Sequence, residues 1–208
     1  MKKDKDYIQD IAEIRSMMER SSKFLSLSGW AGIMAGIYAL AGALAAYTIY
    51  DFNPTTVGGS LNSDSSSYPA LFNIVLLALA VLLFALLTAI YVSLREARKR
   101  EEKLWNTTSK RLLINMVTPL FVGGILILIL ISKDMIGFIA PFSLLFYGLA
   151  LFSGGNFTYP EVRILGIIQI SLGLISSYFV EYGLIFWSLG FGVVHIIYGI
   201  YMQFKYIR

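Results

Sequence analysis

The residues best suited to chemistry in this sequence are a glutamine and a histidine that stand in two octads of one pattern. Each octad has glycine at both ends and a polar residue in fourth place: Gly166-Ile-Ile-Gln169-Ile-Ser-Leu-Gly173 and Gly192-Val-Val-His195-Ile-Ile-Tyr-Gly199. At about 100° per residue, the glycines and the polar side chain of each octad share one helical face. The pattern predicts either a closely packed seam, in which the glycines of the two helices face each other, or a buried polar site.

Catalytic and metal-binding chemistry have little support around His195. It is the single histidine, and the chain has no cysteine, so neither a zinc site nor a thiol nucleophile can be assembled. Serines are available, but none stands in a G-x-S-x-G motif. Haem bound by His195, with Met202 or a second subunit's histidine as the other ligand, is an alternative that rests on this one residue. We predict no catalytic residue, no metal, no cofactor and a protein that is not an enzyme.

The elements that must position these residues are transmembrane helices. Of the 208 residues, 57% are hydrophobic and 14% are charged, whereas about a quarter are charged in a typical soluble domain. Six stretches without Asp, Glu, Lys or Arg have roughly the length needed to cross a bilayer: residues 27–50, 70–94, 112–132, 135–152, 164–180 and 182–203. The predicted fold class is all-α, a polytopic membrane protein with a six-helix bundle over residues 27–208.

Residues 1–26 precede the first span and have a different character. Apolar side chains recur alternately four and three residues apart, as at Tyr7, Ile11, Ile14 and Met18, and charges fill the positions between them. This pattern predicts a cytosolic amphipathic helix. It either lies in the headgroup region as an elbow before the first span, or serves as a docking or dimerisation helix.

The basic residues orient the chain in the membrane. Placing both termini inside leaves Lys133 as the one basic residue outside, out of 17, as the positive-inside rule requires. Residues 95–111 form a basic cytoplasmic loop that begins as an extension of the second span. Beside a bilayer, such a loop contacts anionic lipid. We therefore predict lipid and no nucleic acid as the partner of these charges, with a specific protein contact as the alternative.

Neutral polar residues make up what chemistry remains inside the spans. Pumps and proton-coupled carriers normally place carboxylates or basic side chains there, and these spans contain no Asp, Glu, Lys or Arg. Counted at about 1.5 Å per residue, Thr88, Asn115, Thr118, Gln169 and His195 share the cytoplasmic half of the membrane, beside an expected kink at Pro119. Asn115, Thr118, Gln169 and His195 are the candidate ligand-binding residues. The alternative is that they form hydrogen bonds with each other or with neighbouring helices.

The first span is rich in glycine and contains a G-x-x-x-G motif at Gly32 and Gly36. Small residues at this spacing let helix backbones approach closely in membranes. Two interpretations follow, burial of this span at the centre of the monomer or a homodimer seam, and we favour burial because the span continues directly from the N-terminal helix.

Four segments of the chain resemble an uncharacterised family of small six-span bacterial inner-membrane proteins. They are Ser26-Leu-Ser-Gly-Trp-Ala-Gly32, Trp105-Asn-Thr-Thr-Ser-Lys-Arg-Leu-Leu-Ile-Asn115, Ile139-Ala-Pro-Phe-Ser-Leu-Leu-Phe-Tyr-Gly148 and Gly190-Phe-Gly-Val-Val-His-Ile-Ile-Tyr-Gly199. The resemblance runs from the N-terminal helix to the last span. It implies a multi-pass protein of the bacterial inner membrane and brings no activity or ligand with it.

Two functions are compatible with these features. The first is a non-enzymatic inner-membrane protein that acts as an interaction or regulatory component, with a cytosolic protein or a second copy as its partner. The second is a carrier or binding protein for a small neutral or lipid-like ligand in a cavity of the cytoplasmic half. A cavity in contact with both Gln169 and His195 favours the second function, whereas side chains bonded directly to each other without a void exclude it.

Overall fold

The structure is a computed structural model that describes residues 28–50, 52, 67–99 and 107–206. Every regular element in these ranges is helical, and six helices are long and apolar enough to cross a membrane. The all-α fold and the six spans are thus confirmed, and the chain is a multi-pass membrane protein. The predicted amphipathic helix over residues 1–26 lies outside the described residues.

The six spans are built from seven α-helices. These are α1 Gly29–Thr48, α2 Ser67–Lys99, α3 Thr107–Ser132, α4 Ile139–Gly154, α5 Pro160–Tyr178, α6 Gly183–Trp187 and α7 His195–Tyr206. A π-helical segment, Ser188–Val194, joins α6 to α7, so the sixth span changes its helical geometry near its middle. Single 3-10 turns, Ile136–Phe138, Gly155–Phe157 and Val180–Tyr182, precede α4, follow it and precede α6.

The ends of the helices differ from the predicted spans by a few residues. The second span continues as a charged helix to Lys99, as expected, and α3 begins at Thr107; residues 100–106 of the basic loop lie outside the described ranges. Helix α5 begins at Pro160, because a proline at the first helical position forfeits no hydrogen bond. The predicted turn after α3 places Asp134 at φ 57°, a left-handed conformation that aspartate tolerates.

The spans pack as two groups that meet along the sixth span. Helix α4 packs extensively against both α3 and α5, while α1 packs against α2 and against the π-helical segment and α7. The sixth span then contacts α4 and α5. Helices α2 and α3 are peripheral. Of the residues in the apolar part of each helix, 0% are buried inside the bundle for α2 and 11% for α3. Most of the surface of these two helices therefore faces away from the bundle.

Glycines form two close helix contacts, but not the one predicted between the two octads. A Cβ added to Gly166 would lie 2.8 Å from the Gly148 carbonyl oxygen of α4, and one added to Gly36 would lie 2.6 Å from the Gly192 carbonyl oxygen of the sixth span. The first octad thus faces α4 and the second faces α1. The prediction of facing octads is wrong because α5 packs mainly against α4, whereas the sixth span packs mainly against α1.

Helix α1 uses its glycine motif inside the monomer, as we favoured. A Cβ on Gly32 would lie 3.3 Å from the His195 carbonyl oxygen, and Gly29 lies against the Gly199 carbonyl at the end of the same contact. These contacts run antiparallel, so the start of α1 lies beside the end of α7. The same side of the bundle holds the end of α2 and the starts of α3 and α5, with Lys99, Lys110 and Arg163; we call it the basic end.

Candidate functional site

The polar side chains of the two octads meet at one backbone carbonyl, that of Gly190. The amide Nε2 of Gln169 donates a hydrogen bond to this oxygen at 2.8 Å. The Nδ1 atom of His195 also lies 2.8 Å from it. On the other side of the imidazole, the Tyr147 hydroxyl lies 2.8 Å from Nε2. We call Tyr147, Gln169, Gly190 and His195 the Gly190 cluster; it joins α4, α5 and the sixth span.

The partners of His195 determine its tautomer. A carbonyl oxygen only accepts hydrogen bonds, so Nδ1 carries the proton that it donates to Gly190. In a buried cluster of neutral groups the imidazole is neutral, because burying an unpaired charge is costly. Its Nε2 therefore accepts a hydrogen bond from the Tyr147 hydroxyl. Both ring nitrogens are used within the bundle.

Gln169 and His195 do not hydrogen-bond each other, although their nitrogens lie 3.4 Å apart. Both atoms are donors, and they approach because they share the Gly190 carbonyl as acceptor. Of the two predicted alternatives, the structure shows hydrogen bonds of Gln169 and His195 with neighbouring helices, and it does not show a hydrogen bond between these two side chains. Since the shared carbonyl belongs to the π-helical segment, where the regular α-helical hydrogen bonding is interrupted, side chains complete the bonding of the backbone there.

Glycine at position 190 leaves room for the glutamine side chain. A Cβ at this position would lie 2.6 Å from Gln169 Oε1 and would overlap the Leu144 side chain. Gln169 and Leu144 are both fully buried, at 0% exposure. The Oε1 atom is itself buried and has no hydrogen-bond partner among the described residues. The cluster thus has one acceptor that remains free.

Aromatic rings enclose the imidazole on the side of the sixth span. Phe191 stacks on the His195 ring, with centroids 5.9 Å apart and planes 18° apart. The Tyr147 ring lies 5.0 Å from Phe191, and Trp187 continues the series at 5.1 Å. Sequence reasoning missed Tyr147. Its signal is a tyrosine in an otherwise apolar span, since a buried phenol normally finds a hydrogen-bond partner.

The structure does not bring the other two candidate residues, Asn115 and Thr118, to this cluster. Both are exposed on α3, where the Asn115 amide donates to the Arg111 carbonyl at 2.8 Å and the Thr118 hydroxyl donates to the Ile114 carbonyl at 3.0 Å. The four residues therefore do not line one cavity. A position along a span does not determine the direction in which that side of the helix points.

Thr88, the fifth member of the predicted layer, is also used elsewhere. Its hydroxyl lies 3.2 Å from the Tyr38 hydroxyl and so joins α2 to α1. Of the five residues, only Gln169 and His195 come together.

A second polar cluster, which the sequence did not indicate, ties α5 to α7 at the basic end. The Lys205 ammonium donates a hydrogen bond to Glu161 Oε1 and forms an ion pair with that carboxylate. The Tyr206 hydroxyl lies 3.0 and 3.1 Å from the two carboxylate oxygens. Tyr159 stacks on Tyr206 at 4.3 Å between centroids. Glu161 is buried at 7% exposure, although a glutamate in the first turn of a helix is usually solvated.

Glu161→Gln should lower the melting temperature of the purified protein by about 2–4 °C, the shift expected for a loss of about 1 kcal/mol in a chain of this size. The amide keeps the shape of the side chain but loses the ion pair with Lys205. Glu181→Gln, at the opposite end of α5, is the matched control and should leave the melting temperature unchanged. Equal effects of the two substitutions in a thermal-shift assay would contradict this role for Glu161.

The Gly190 cluster can stabilise the bundle, but its described contacts do not assemble a catalytic group. The hydroxyls of Ser143 and Ser188 donate to carbonyls of their own turns, at 2.8 and 2.9 Å, and neither bonds to His195. No group of three or more His, Asp or Glu residues that could hold a metal occurs among the residues searched.

Comparison with known proteins gives no relative: no family model, no curated protein and no solved structure matches the chain. The resemblance to a family of six-span bacterial inner-membrane proteins stays a prediction.

Proposed function

We propose that this protein is a non-enzymatic component of the bacterial inner membrane that acts through interactions of its cytosolic face. Both termini lie in the cytoplasm, as the basic residues predict. Residues 1–26 then provide a docking helix, and the basic loop over residues 95–111 contacts anionic lipid and positions that helix near the membrane surface. The partner is a cytosolic protein.

One observation carries this proposal: the first and last spans come together at the basic end. A Cβ on Gly29 would lie 2.9 Å from the Gln203 backbone nitrogen, so the start of α1 is fixed against the end of α7. The start of α1 is therefore on the side of the bundle where α2 ends at Lys99 and α3 begins at Thr107. The described residues that border the amphipathic segment and the basic loop, Ser28, Lys99 and Thr107, thus lie at one end of the bundle.

The burial of the histidine supports a non-enzymatic role. Each nitrogen of His195 is engaged, one by Gly190 and one by Tyr147, and the side chain is 5% exposed. General bases can be hydrogen-bonded on both nitrogens, so the supporting observation is burial, which keeps this imidazole away from solvent and from a substrate proton. The histidine contributes to helix packing instead.

A second candidate function, the binding of a small neutral or lipid-like ligand, is favoured by a single atom. Gln169 Oε1 is buried without a partner, and buried polar atoms are normally hydrogen-bonded. A ligand hydroxyl is one group that this acceptor would bind, and a structural water is another. The cytosolic role takes precedence because the five other atoms of the cluster described above, the Tyr147 hydroxyl, Gln169 Nε2, the Gly190 carbonyl oxygen and both ring nitrogens of His195, are already paired within the protein.

Deleting residues 1–24 should abolish co-purification of the cytosolic partner while the bundle keeps its melting temperature, because the deletion retains Gly29 and the contact of α1 with α7 that begins there. Site-specific photo-cross-linking from position 17 in living cells, followed by mass spectrometry, identifies the partner in the full-length protein. The quantity to compare is then the recovery of that partner with each variant.

A matched pair of substitutions separates the apolar stripe from the bulk charge of the segment. Replacing Ile11 and Ile14 by serine removes two positions of the stripe and should reproduce the deletion, whereas replacing Asp10 and Glu13 by serine should not. Undiminished recovery of the partner after the deletion would refute the proposal.

A further inference from the structure

Helix α3 has a second, unpartnered face that its contacts with α4 do not use. On the α4 side, Gly123 lies against Phe146, and Leu112 and Met116 lie against Gly154. About 120° around the helix, a row of exposed residues runs along its length: Arg111, Asn115, Thr118, Val122, Ile125 and Ile129. We call this row the α3 stripe.

The α3 stripe has the spacing of a coiled-coil seam. Its members are alternately four and three residues apart, so they repeat every seven residues. Such a repeat keeps one face of a helix directed toward a partner helix over many turns. Val122, Ile125 and Ile129 are β-branched and have few rotamers to lose on packing. They are 50%, 44% and 49% exposed in the monomer.

Asn115 places hydrogen-bonding groups on this face that lipid tails cannot satisfy. Its amide donates one bond, to the Arg111 carbonyl of its own helix, and an asparagine amide has another N–H and an acceptor oxygen. Four residues on, Pro119 lies inside α3 and has no N–H, so the Asn115 backbone carbonyl lacks its helical donor. In a membrane, neighbouring helices normally satisfy groups of this kind.

The peripheral helix α2 shows the contrast. Its polar side chain at comparable depth, Thr88, already has a partner inside the monomer in Tyr38. Exposed residues near the middle of α2, such as Leu83, Phe84 and Leu87, are apolar, so lipid is a sufficient neighbour. On α3 it is not.

A second copy of the chain fits the α3 stripe better than any other occupant. Two copies inserted in the same orientation place their α3 helices parallel across a twofold axis, so each residue of the stripe meets its own equivalent. An asparagine amide is self-complementary, because each copy supplies both a donor and an acceptor. Arg111 is one turn closer to the basic end, at headgroup level, where water and anionic lipid separate the two guanidinium groups.

We propose that the protein forms a parallel homodimer through the α3 stripe, held in register by hydrogen bonds between the two Asn115 amides and the carbonyls that Pro119 leaves free. The dimer axis is thus on α3 and not on the glycine motif of α1, which is used inside the monomer. This inference is independent of the proposed cytosolic role.

The absence of cysteine from the sequence makes a direct test possible. Single-cysteine variants of the full-length protein, Val122→Cys and Ile129→Cys, should form disulfide-linked dimers in native membranes under mild oxidation. The matched controls, Phe121→Cys and Leu128→Cys, are equally deep and are each 67% exposed, but lie off the stripe. Their dimer yield should be at least fivefold lower, because a disulfide needs Cα atoms within about 7 Å.

The role of Asn115 is tested in the Val122→Cys background. Asn115→Leu should raise the protein-to-lipid ratio required for half-maximal cross-linking by about tenfold, as the loss of interhelical hydrogen bonds implies. Asn115→Gln keeps an amide and should recover part of the dimer. Neither substitution should change the melting temperature of the monomer in detergent, because the described hydrogen bond of Asn115 is within its own helix.

Three results would overturn the proposal. Equal disulfide yields on both faces would indicate random collision, and no disulfide at any of the four positions would leave lipid or another protein as the neighbour of this face. Cross-linking through the stripe that is insensitive to Asn115→Leu would refute the hydrogen-bonded register.

Discussion

Gly199→Ala is expected to destabilise the bundle by about 3 kcal/mol, at the upper end of the range for overpacked sites. The added Cβ would lie 2.5 Å from the Gly29 carbonyl oxygen and 2.7 Å from the Ile33 backbone nitrogen. Both are backbone atoms of α1, so no side chain can turn aside. Helices α1 and α7 must separate, and the contact that fixes the start of the chain against its end is lost.

Gly124→Ala is the matched control, because it makes the same chemical change in another transmembrane helix. A Cβ at Gly124 meets nothing within 4 Å. Since alanine is the better helix former by about 0.5–1 kcal/mol, this variant should be slightly more stable than the natural protein. Unfolding by SDS titration in mixed micelles measures both. If the two variants lost similar stability, the close approach of α1 to α7 would be incorrect.

His195→Leu is expected to cost about 2 kcal/mol of stability. It removes the bond to the Gly190 carbonyl and leaves the Tyr147 hydroxyl without its acceptor, and interhelical bonds in membranes contribute about 0.6–2 kcal/mol each. Tyr147→Phe should cost about 1 kcal/mol, while Tyr178→Phe, at a tyrosine that is 82% exposed, should cost nothing measurable. These losses of stability are expected if the role of the Gly190 cluster is to hold the helices together.

A double-mutant cycle measures the bond itself. In the Tyr147→Phe background, His195→Leu should cost about 1 kcal/mol less than in the natural protein, because the hydrogen bond between the two side chains is already absent. Strictly additive effects would contradict the hydrogen bond between the two side chains.

The alternative function, a ligand bound at Gln169, is tested by native mass spectrometry of the protein extracted with its own lipids. If a ligand binds there, the natural protein would retain a small molecule that the Gln169→Leu variant releases.

The six spans were readable from the sequence because burial in lipid imposes a requirement that composition alone reveals. A helix that satisfies its own backbone needs about 20 apolar residues to cross the bilayer, and each predicted stretch has a helix that fulfils this. The ends shifted by a few residues because amphipathic turns continue the helices beyond the apolar core, as at Thr107 and Lys99.

Half of the predicted site came together. Gln169 and His195 meet at Gly190 because α5 and the sixth span are neighbours and because a π-helical segment opens the backbone at that carbonyl. Asn115 and Thr118 are exposed on α3, away from this cluster. Residue counting gives position along a helix axis, whereas the rotation of the helix about that axis depends on which neighbour it packs against.

The two glycine octads show the same limit. Their equal spacing suggested that they face each other, yet Gly166 contacts α4 and Gly192 contacts α1. A glycine in a membrane helix allows the backbone of another helix to approach closely, but it does not specify which helix that is. The partner is decided by the arrangement of all six spans.

By itself, the sequence determined the class of the protein, the number of spans and the absence of thiol chemistry, because these follow from composition and from the length of the apolar stretches. The tertiary structure alone decided that His195 bonds to Gly190 and Tyr147, that Glu161 joins α5 to α7, and that Asn115 is left facing outward. These depend on contacts between residues far apart in the chain, which hydrophobic spacing within one helix does not specify.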